Sequence, residues 1–248
     1  MNEPLPQTFS PSQQADGPPP DASELAAAKA ALEGSAGERL WVALRALRRL
    51  LNNPQDTRQV FVLGVAINAR RFPEFMTRFV TAPGGLELLR DKPAIDSHAV
   101  DFAALAALPA DTLGGAFARH MKENSLSPDL FQAPPGLPEP VAYVVQRVRQ
   151  THDLWHVLTS YATDVPGELA LQAFYYGLIG LPSSLLISLF GTLRYARKFR
   201  QTGLFQMVQG GYRRGRQAAF LPTVRWEDWW QEPLAEVRRR VGIEPLAA

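Results

Sequence analysis

VAYVVQRVRQTHDLWHVLTSYATDVPGELALQAFYYGLIG, residues 141–180, reads as two helices joined at a break. Val141–Tyr161 predicts one long helix. Asp164-Val165-Pro166-Gly167 interrupts it, because proline disfavours a helical backbone at the residue before it. A second helix starting near Pro166 can fold back on the first. The last two turns of the first helix carry His152, Asp153 and His156, and the second helix opens with Glu168. His152 and His156 stand one turn apart on one face. Asp153 sits about 100° round the helix. Four nitrogen and oxygen donors thus fall within residues 152–168, in a chain with only four histidines. This pattern predicts a metal site spanning a helical hairpin. Donors without sulfur suit a divalent metal such as zinc, iron, cobalt or manganese. Helices also carry His-x-x-x-His pairs by chance, and His156 alone would fit a satisfied core histidine. His98 and His120 lie outside the cluster and read as ordinary surface or core residues.

The helical rhythm extends through the chain. Gly37–Leu51 is amphipathic, with Leu40, Val42, Leu44, Leu47 and Leu51 apolar and Arg45, Arg48 and Arg49 opposite. Val60–Asn68 and Pro73–Val80 read as helices, closed by a break at Ala82-Pro83-Gly84-Gly85. Asp101–Ala107 and Thr112–Met121 predict shorter helices, 126–138 a proline-rich loop, and the segment after Pro233 an amphipathic terminal helix. No sustained alternation, hairpin signal or internal repeat occurs. The expected fold class is all-α: a single multi-helix domain over residues 24–248, bearing the metal on a helical hairpin, after a disordered tail over residues 1–23. That tail has Pro18-Pro19-Pro20, several acids and no Lys or Arg before Lys29, so neither a secretory nor a mitochondrial signal is expected in it. A bacterial cytoplasmic protein is the simplest expectation.

Composition narrows the function classes. There is no cysteine, which excludes disulfides and thiolate metal sites. A net charge of +2 gives no global case for nucleic acid. Charge is uneven, however: Arg194–Arg240 holds eleven basic residues against four acids, which suits anionic lipid, a phosphate group or solvent. Within it, Gly210-Gly211-Tyr212-Arg213-Arg214-Gly215-Arg216 reads as a solvated basic turn ahead of an anion site. Trp226-Glu227-Asp228-Trp229-Trp230 reads as a packing clamp ahead of a membrane-interface anchor. Leu169–Leu193 carries no charge. Gly180, Pro182, Ser183 and Ser184 divide it into pieces too short to span a membrane separately. It reads either as a buried helical hairpin or as a groove for a lipid tail, with Phe174, Tyr175, Leu178 and Leu185 as candidate lipid contacts.

Two families compete for the cluster. A His-Asp phosphohydrolase would draft His98 and Asp228 as further ligands, but nothing around them supports it. It also leaves His156 and Glu168 unexplained. The motif His-Asp-x-x-His, eleven residues, then Glu resembles the signature of the fourth Coq protein family of ubiquinone (coenzyme Q) biosynthesis. Pro166-Gly167-Glu168, Gly177-x-x-x-Leu181-Pro182, Leu108-Pro109-x-x-Thr112-Leu113-Gly114, Gly215-Arg216 and Trp226-Glu227 are similar to that family too. The likeness covers roughly residues 38–245. It implies an all-α, membrane-associated protein whose divalent metal is held by His152, Asp153, His156 and Glu168. It also implies a part in oxidative decarboxylation at C1 of a prenylated hydroxybenzoate, or in a non-catalytic lipid-binding scaffold for the biosynthetic complex. The implied partners are a prenylated aromatic quinone precursor, other ubiquinone-biosynthesis proteins and the face of the bacterial inner membrane, with no nucleic acid. A homodimer is a further expectation for a helical protein of this kind.

Overall fold

The computed structural model describes residues 34–53, 58–130, 137–199 and 203–246; among these the chain is helical and forms no strand. The expected tail over residues 1–23 lies outside the described residues, as do residues 131–136 of the proline-rich loop. The described residues divide into two compact units, those within 34–73 and 162–215 and those within 74–161 and 216–246.

In the first unit, α1 (Ala36–Asn52) opens on a capping box: Ser35 Oγ accepts from Glu38 N–H while the Glu38 carboxylate accepts from Ser35 N–H. Its buried stripe is Ala43, Ala46, Leu47 and Leu50, one helical face. The apolar face expected through Leu40 and Leu44 is instead exposed, along with Trp41. Small alanines let α2 (Arg58–Asn68) approach, and Val62, Leu63 and Ala66 complete this core, with Leu186 and Ile187 packed against it.

The uncharged stretch folds as α9 (Val165–Ile179) and α10 (Pro182–Tyr195), separated at Gly180 with φ 73°. That left-handed backbone is where glycine replaces other residues without strain. None of the helices among the described residues is long and apolar enough to cross a membrane. α10 has no cap of its own. Asn68 supplies one: its Oδ1 accepts from Ser183 N–H at 3.0 Å and its Nδ2 donates to Ser183 Oγ at 2.8 Å. Ser188 Oγ donates to Leu169 O at 2.9 Å, tying α10 to α9.

The basic turn expected over Gly210–Arg216 is corrected: it lies inside α11 (Leu204–Gln217). Glycine is kept there by packing. A Cβ on Gly215 would stand 2.1 Å from the Phe174 carbonyl oxygen, so only glycine lets α11 approach α9 this closely.

The second unit contains α3 (Phe72–Thr81), α4 (Gly85–Asp91), α5 (Phe102–Ala106), α6 (Leu113–Glu123), α7 (Glu139–Gln150), α8 (His152–Thr159) and α12 (Leu234–Val241). α4 was not expected, because Pro83-Gly84-Gly85 marked only a break. Gly84 takes φ 83° and the chain re-enters helix at once. The single helix expected over Val141–Tyr161 is corrected to α7 and α8, which meet at Thr151. The backbone bonds Thr151 N–H to Arg147 O and Trp155 N–H to Thr151 O continue across the joint. Thr151 Oγ1 also donates to Arg147 O at 3.0 Å, the type of back-bond that bends helices.

The Trp226 segment is the packing clamp the sequence implied. Trp226 is wholly buried, and Glu227 grips the wholly buried Arg147 of α7 through two oxygens at 2.5 and 2.8 Å. Nearby, Leu113 N–H and Gly114 N–H donate to Glu232 O and Trp230 O at 2.9 and 2.8 Å. This explains Leu113-Gly114: a Cβ at residue 114 would stand 2.9 Å from Trp230 O.

Candidate metal centre

α8 places His152 and His156 one turn apart, both buried, with Trp155, Leu154 and Leu158 filling the surrounding core. Two features fix its end. Ser160 takes the left-handed conformation, φ 59°. Arg238 of α12 donates to Val157 O, Leu158 O and Ser160 Oγ at 2.7–2.9 Å. A cation on the last carbonyls suits the negative end of the helix dipole. The turn so held brings Tyr161 O to 2.9 Å from His156 Nδ1. A carbonyl only accepts, so Nδ1 carries the proton and His156 Nε2 presents a lone pair.

That lone pair faces His152. The two Nε2 atoms are 3.2 Å apart. Imidazole nitrogens at about 2.0–2.1 Å from one zinc in tetrahedral geometry would be separated by about 3.3–3.4 Å. The spacing is close to that of two ligands on one ion and equally allows His152 Nε2–H to donate to the His156 lone pair; the backbone carbonyl on Nδ1 is the usual device that orients a ligating histidine.

Asp153 is also buried, but it faces His120 on α6. His120 Nε2, buried and without a hydrogen bond, lies 3.6 Å from Asp153 Oδ1, within ion-pair distance and beyond hydrogen-bond reach. Burial works against the Asp153 carboxylate. The His120 N–H and the surrounding His152, His156 and His120 imidazoles outweigh it and hold its pKa below the ordinary aspartate value. The His120 ring also stacks on His156, centroids 5.6 Å apart and planes 21° apart. Read from its sequence position alone, His120 is an ordinary surface or core residue; nothing in residues 112–121 signals that α6 lies against α8.

In the first unit, α9 begins at Asp164, whose Oδ1 accepts from Gly167 N–H at 2.8 Å. Proline at the second helical position and a carboxylate in the first turn both suit a helix start. Glu168 is that carboxylate and is 1% exposed. His152, His156 and Glu168, all buried, are the side chains among the described residues that could hold a metal ion. The donor set is chemically coherent: imidazole nitrogen and carboxylate oxygen in a dry setting. Of the candidate lipid contacts, Phe174, Tyr175 and Leu178 are buried within the first unit, whereas Leu185 on α10 is exposed. His98 stands exposed on the turn before α5, and Asp228 is exposed beside Arg225, so the phosphohydrolase arrangement has no support in their settings.

Comparison with known proteins gives one consistent answer. A family model described as coenzyme Q (ubiquinone) biosynthesis protein Coq4 matches residues 30–247. The mitochondrial ubiquinone biosynthesis protein COQ4 homolog of Rattus norvegicus is 30% identical over 210 residues, 84% of this chain and 79% of that protein. The mitochondrial COQ4 of Coprinopsis cinerea is 30% identical over 194 residues, 78% of this chain and 67% of that protein. A crystal structure described as that of a ubiquinone biosynthesis protein from Nostoc punctiforme is similar with a TM-score of 0.66. It is 25% identical, and the match covers 81% of this chain and 96% of that one.

Proposed function

The chain belongs to the Coq4 family of coenzyme Q biosynthesis, and from that premise we propose that it is a metal-dependent enzyme acting on a prenylated hydroxybenzoate. The reaction replaces the ring carboxylate at C1 by a hydroxyl with dioxygen as the oxidant: the ring acid, O2 and one water give the phenol, carbon dioxide and hydrogen peroxide. The observation that carries the reading is the 3.2 Å separation of His152 Nε2 and His156 Nε2, with His156 Nδ1 committed to Tyr161 O.

His152, Asp153, His156 and Glu168 are the proposed ligands. A connection of only five residues, 160–164, separates α8 from α9 and allows Glu168 to join the two histidines. Two carboxylates and two neutral imidazoles balance a divalent charge. A divalent metal, when bound, supplies Lewis acidity to the ring carboxylate and phenolate. The protein's own groups do the rest. Tyr161 O keeps His156 in the correct tautomer, Arg238 locks the turn that carries Tyr161, and the buried Trp155, Leu154 and Leu158 exclude water around the histidines.

The proposed setting is the surface of a bacterial inner membrane, among other ubiquinone-biosynthesis proteins. Support comes from α10 and its neighbours in the first unit. Leu185, Leu189, Phe190 and Leu193 on α10, and Phe205 and Tyr212 on α11, are all exposed. A prenyl tail needs such apolar surface on its way from the bilayer. The same exposed residues favour a second reading, a lipid-presenting scaffold without chemistry. His156→Ala separates the two. The enzyme reading expects this variant to keep its fold and partner binding while product formation stops. Unchanged product formation in cells carrying His156→Ala as the only copy would refute it in favour of the scaffold.

A further inference from the structure

We propose that His120 is a positioning residue of the metal centre, holding the Asp153 carboxylate through Nε2–H and bracing the ring of His156. The inference rests on the metal reading above and adds a residue outside the His-Asp-x-x-His motif.

The hydrogen-bond chain determines the His120 tautomer. Asn124 Nδ2 donates to the His120 carbonyl oxygen at 2.9 Å, which identifies that amide atom as nitrogen, since a carbonyl cannot donate. The same Nδ2 lies 3.5 Å from His120 Nδ1. A nitrogen donor beside Nδ1 favours the lone pair there and the proton on Nε2. Nε2–H then points at Asp153 Oδ1, 3.6 Å away. Nε2 is buried and has no hydrogen bond, and Asp153 Oδ1 is the carboxylate oxygen it faces. The face of the same ring covers His156 at 5.6 Å.

One side chain thus touches two of the proposed ligands, from a helix that supplies none. α6 is held firmly enough for this task. Thr112 caps it through Gly115 N–H at 3.2 Å, and Leu113 and Gly114 are bonded to the chain at Glu232 and Trp230. Groups of this type orient metal-binding carboxylates and histidines, and losing one typically lowers metal affinity about 10–100-fold.

Two substitutions separate the two contacts. His120→Gln keeps an N–H near the position of Nε2 but removes the ring. His120→Phe keeps a ring against His156 but removes the N–H. The full-length protein is stripped of metal and titrated with cobalt(II), reading visible absorption bands and affinity, with thermal unfolding of each apo-protein as a fold control. Expected are a loss of about 10–100-fold in cobalt affinity with altered bands for His120→Phe, and a clearly smaller loss for His120→Gln, which keeps the N–H and lacks only the ring. Wild-type affinity and spectrum in His120→Phe would overturn the proposal. Equal loss in both variants would overturn it too, by making the imidazole itself a ligand. His156→Ala, run alongside, tests the underlying reading separately. If it binds cobalt like the wild type, the metal assignment fails. If it alone loses binding, the assignment stands and the role of His120 falls.

Discussion

At the scale of single residues, the candidate metal centre depends on groups outside the set His152, His156 and Glu168. Tyr161 O fixes which nitrogen of His156 carries the proton, and Arg238 fixes where Tyr161 lies. Arg238→Ala removes three hydrogen bonds from the end of α8. It should cost about 1–3 kcal/mol of stability and weaken metal binding as well. Urea unfolding and a metal titration of the same variant check both parts; a stability loss without an affinity loss would disconnect the turn from the site. Gly215 gives a prediction of unusual sign. Glycine to alanine within a helix normally gains about 1 kcal/mol. Here the new methyl would stand 2.1 Å from Phe174 O, so Gly215→Ala should lose about 1–3 kcal/mol, as overpacking does. A raised Tm would contradict the close approach of α11 to α9.

Among the elements, local signals served well where capping and proline act on their own neighbours. Asp164 and Pro166 marked the start of α9, Thr112 the start of α6, and Gly180 the break before α10. They failed where the decision belonged to a distant partner. Thr151 divides the expected long helix through a back-bond that its residue type alone does not announce. Gly210-Gly211 and Gly215 read as turn residues yet lie within a helix, and the smallness of Gly215 serves packing there. The buried face of α1 runs through alanines instead of Leu40 and Leu44, because the neighbouring helix needs close approach more than bulk. His152, His156 and Glu168 were legible because their spacing is internal to one hairpin motif. His120 was not, since its role arises only when α6 packs on α8. The end of α4 offers a pH test. Asp91, bonded by Arg90 and Arg225, has its pKa lowered from 3.8 to about 2. A carboxylate with a depressed folded pKa stabilises above its unfolded value and loses that contribution as pH falls through the folded one. Stability attributable to Asp91 should therefore be present above about pH 4 and fade toward pH 2. Asp91→Asn should flatten that part of the unfolding profile, and an unchanged acid limb would show the pairing to be inconsequential.

For the whole molecule, the family assignment, the helical fold and the buried group His152, His156 and Glu168 converge on a protein of coenzyme Q biosynthesis with side chains that could hold a metal ion. A ligand that binds only the folded state stabilises it by about 2.7 kcal/mol at a hundred times its Kd. For a chain of this size that corresponds to about 5–10 °C in Tm. Chelation should therefore lower Tm by about that amount, with recovery on adding zinc or cobalt. His152→Asn should show no such response. The central claim is that this centre performs chemistry on a lipid-linked ring. The most direct measurement is to incubate the purified, metal-loaded protein with a prenylated hydroxybenzoate under oxygen and analyse the ring by mass spectrometry. A product in which the carboxyl has been exchanged for a hydroxyl, made by the wild type and not by His156→Ala, is the expected result. An unaltered substrate with folded, metal-loaded protein, or equal product from both proteins, would contradict it.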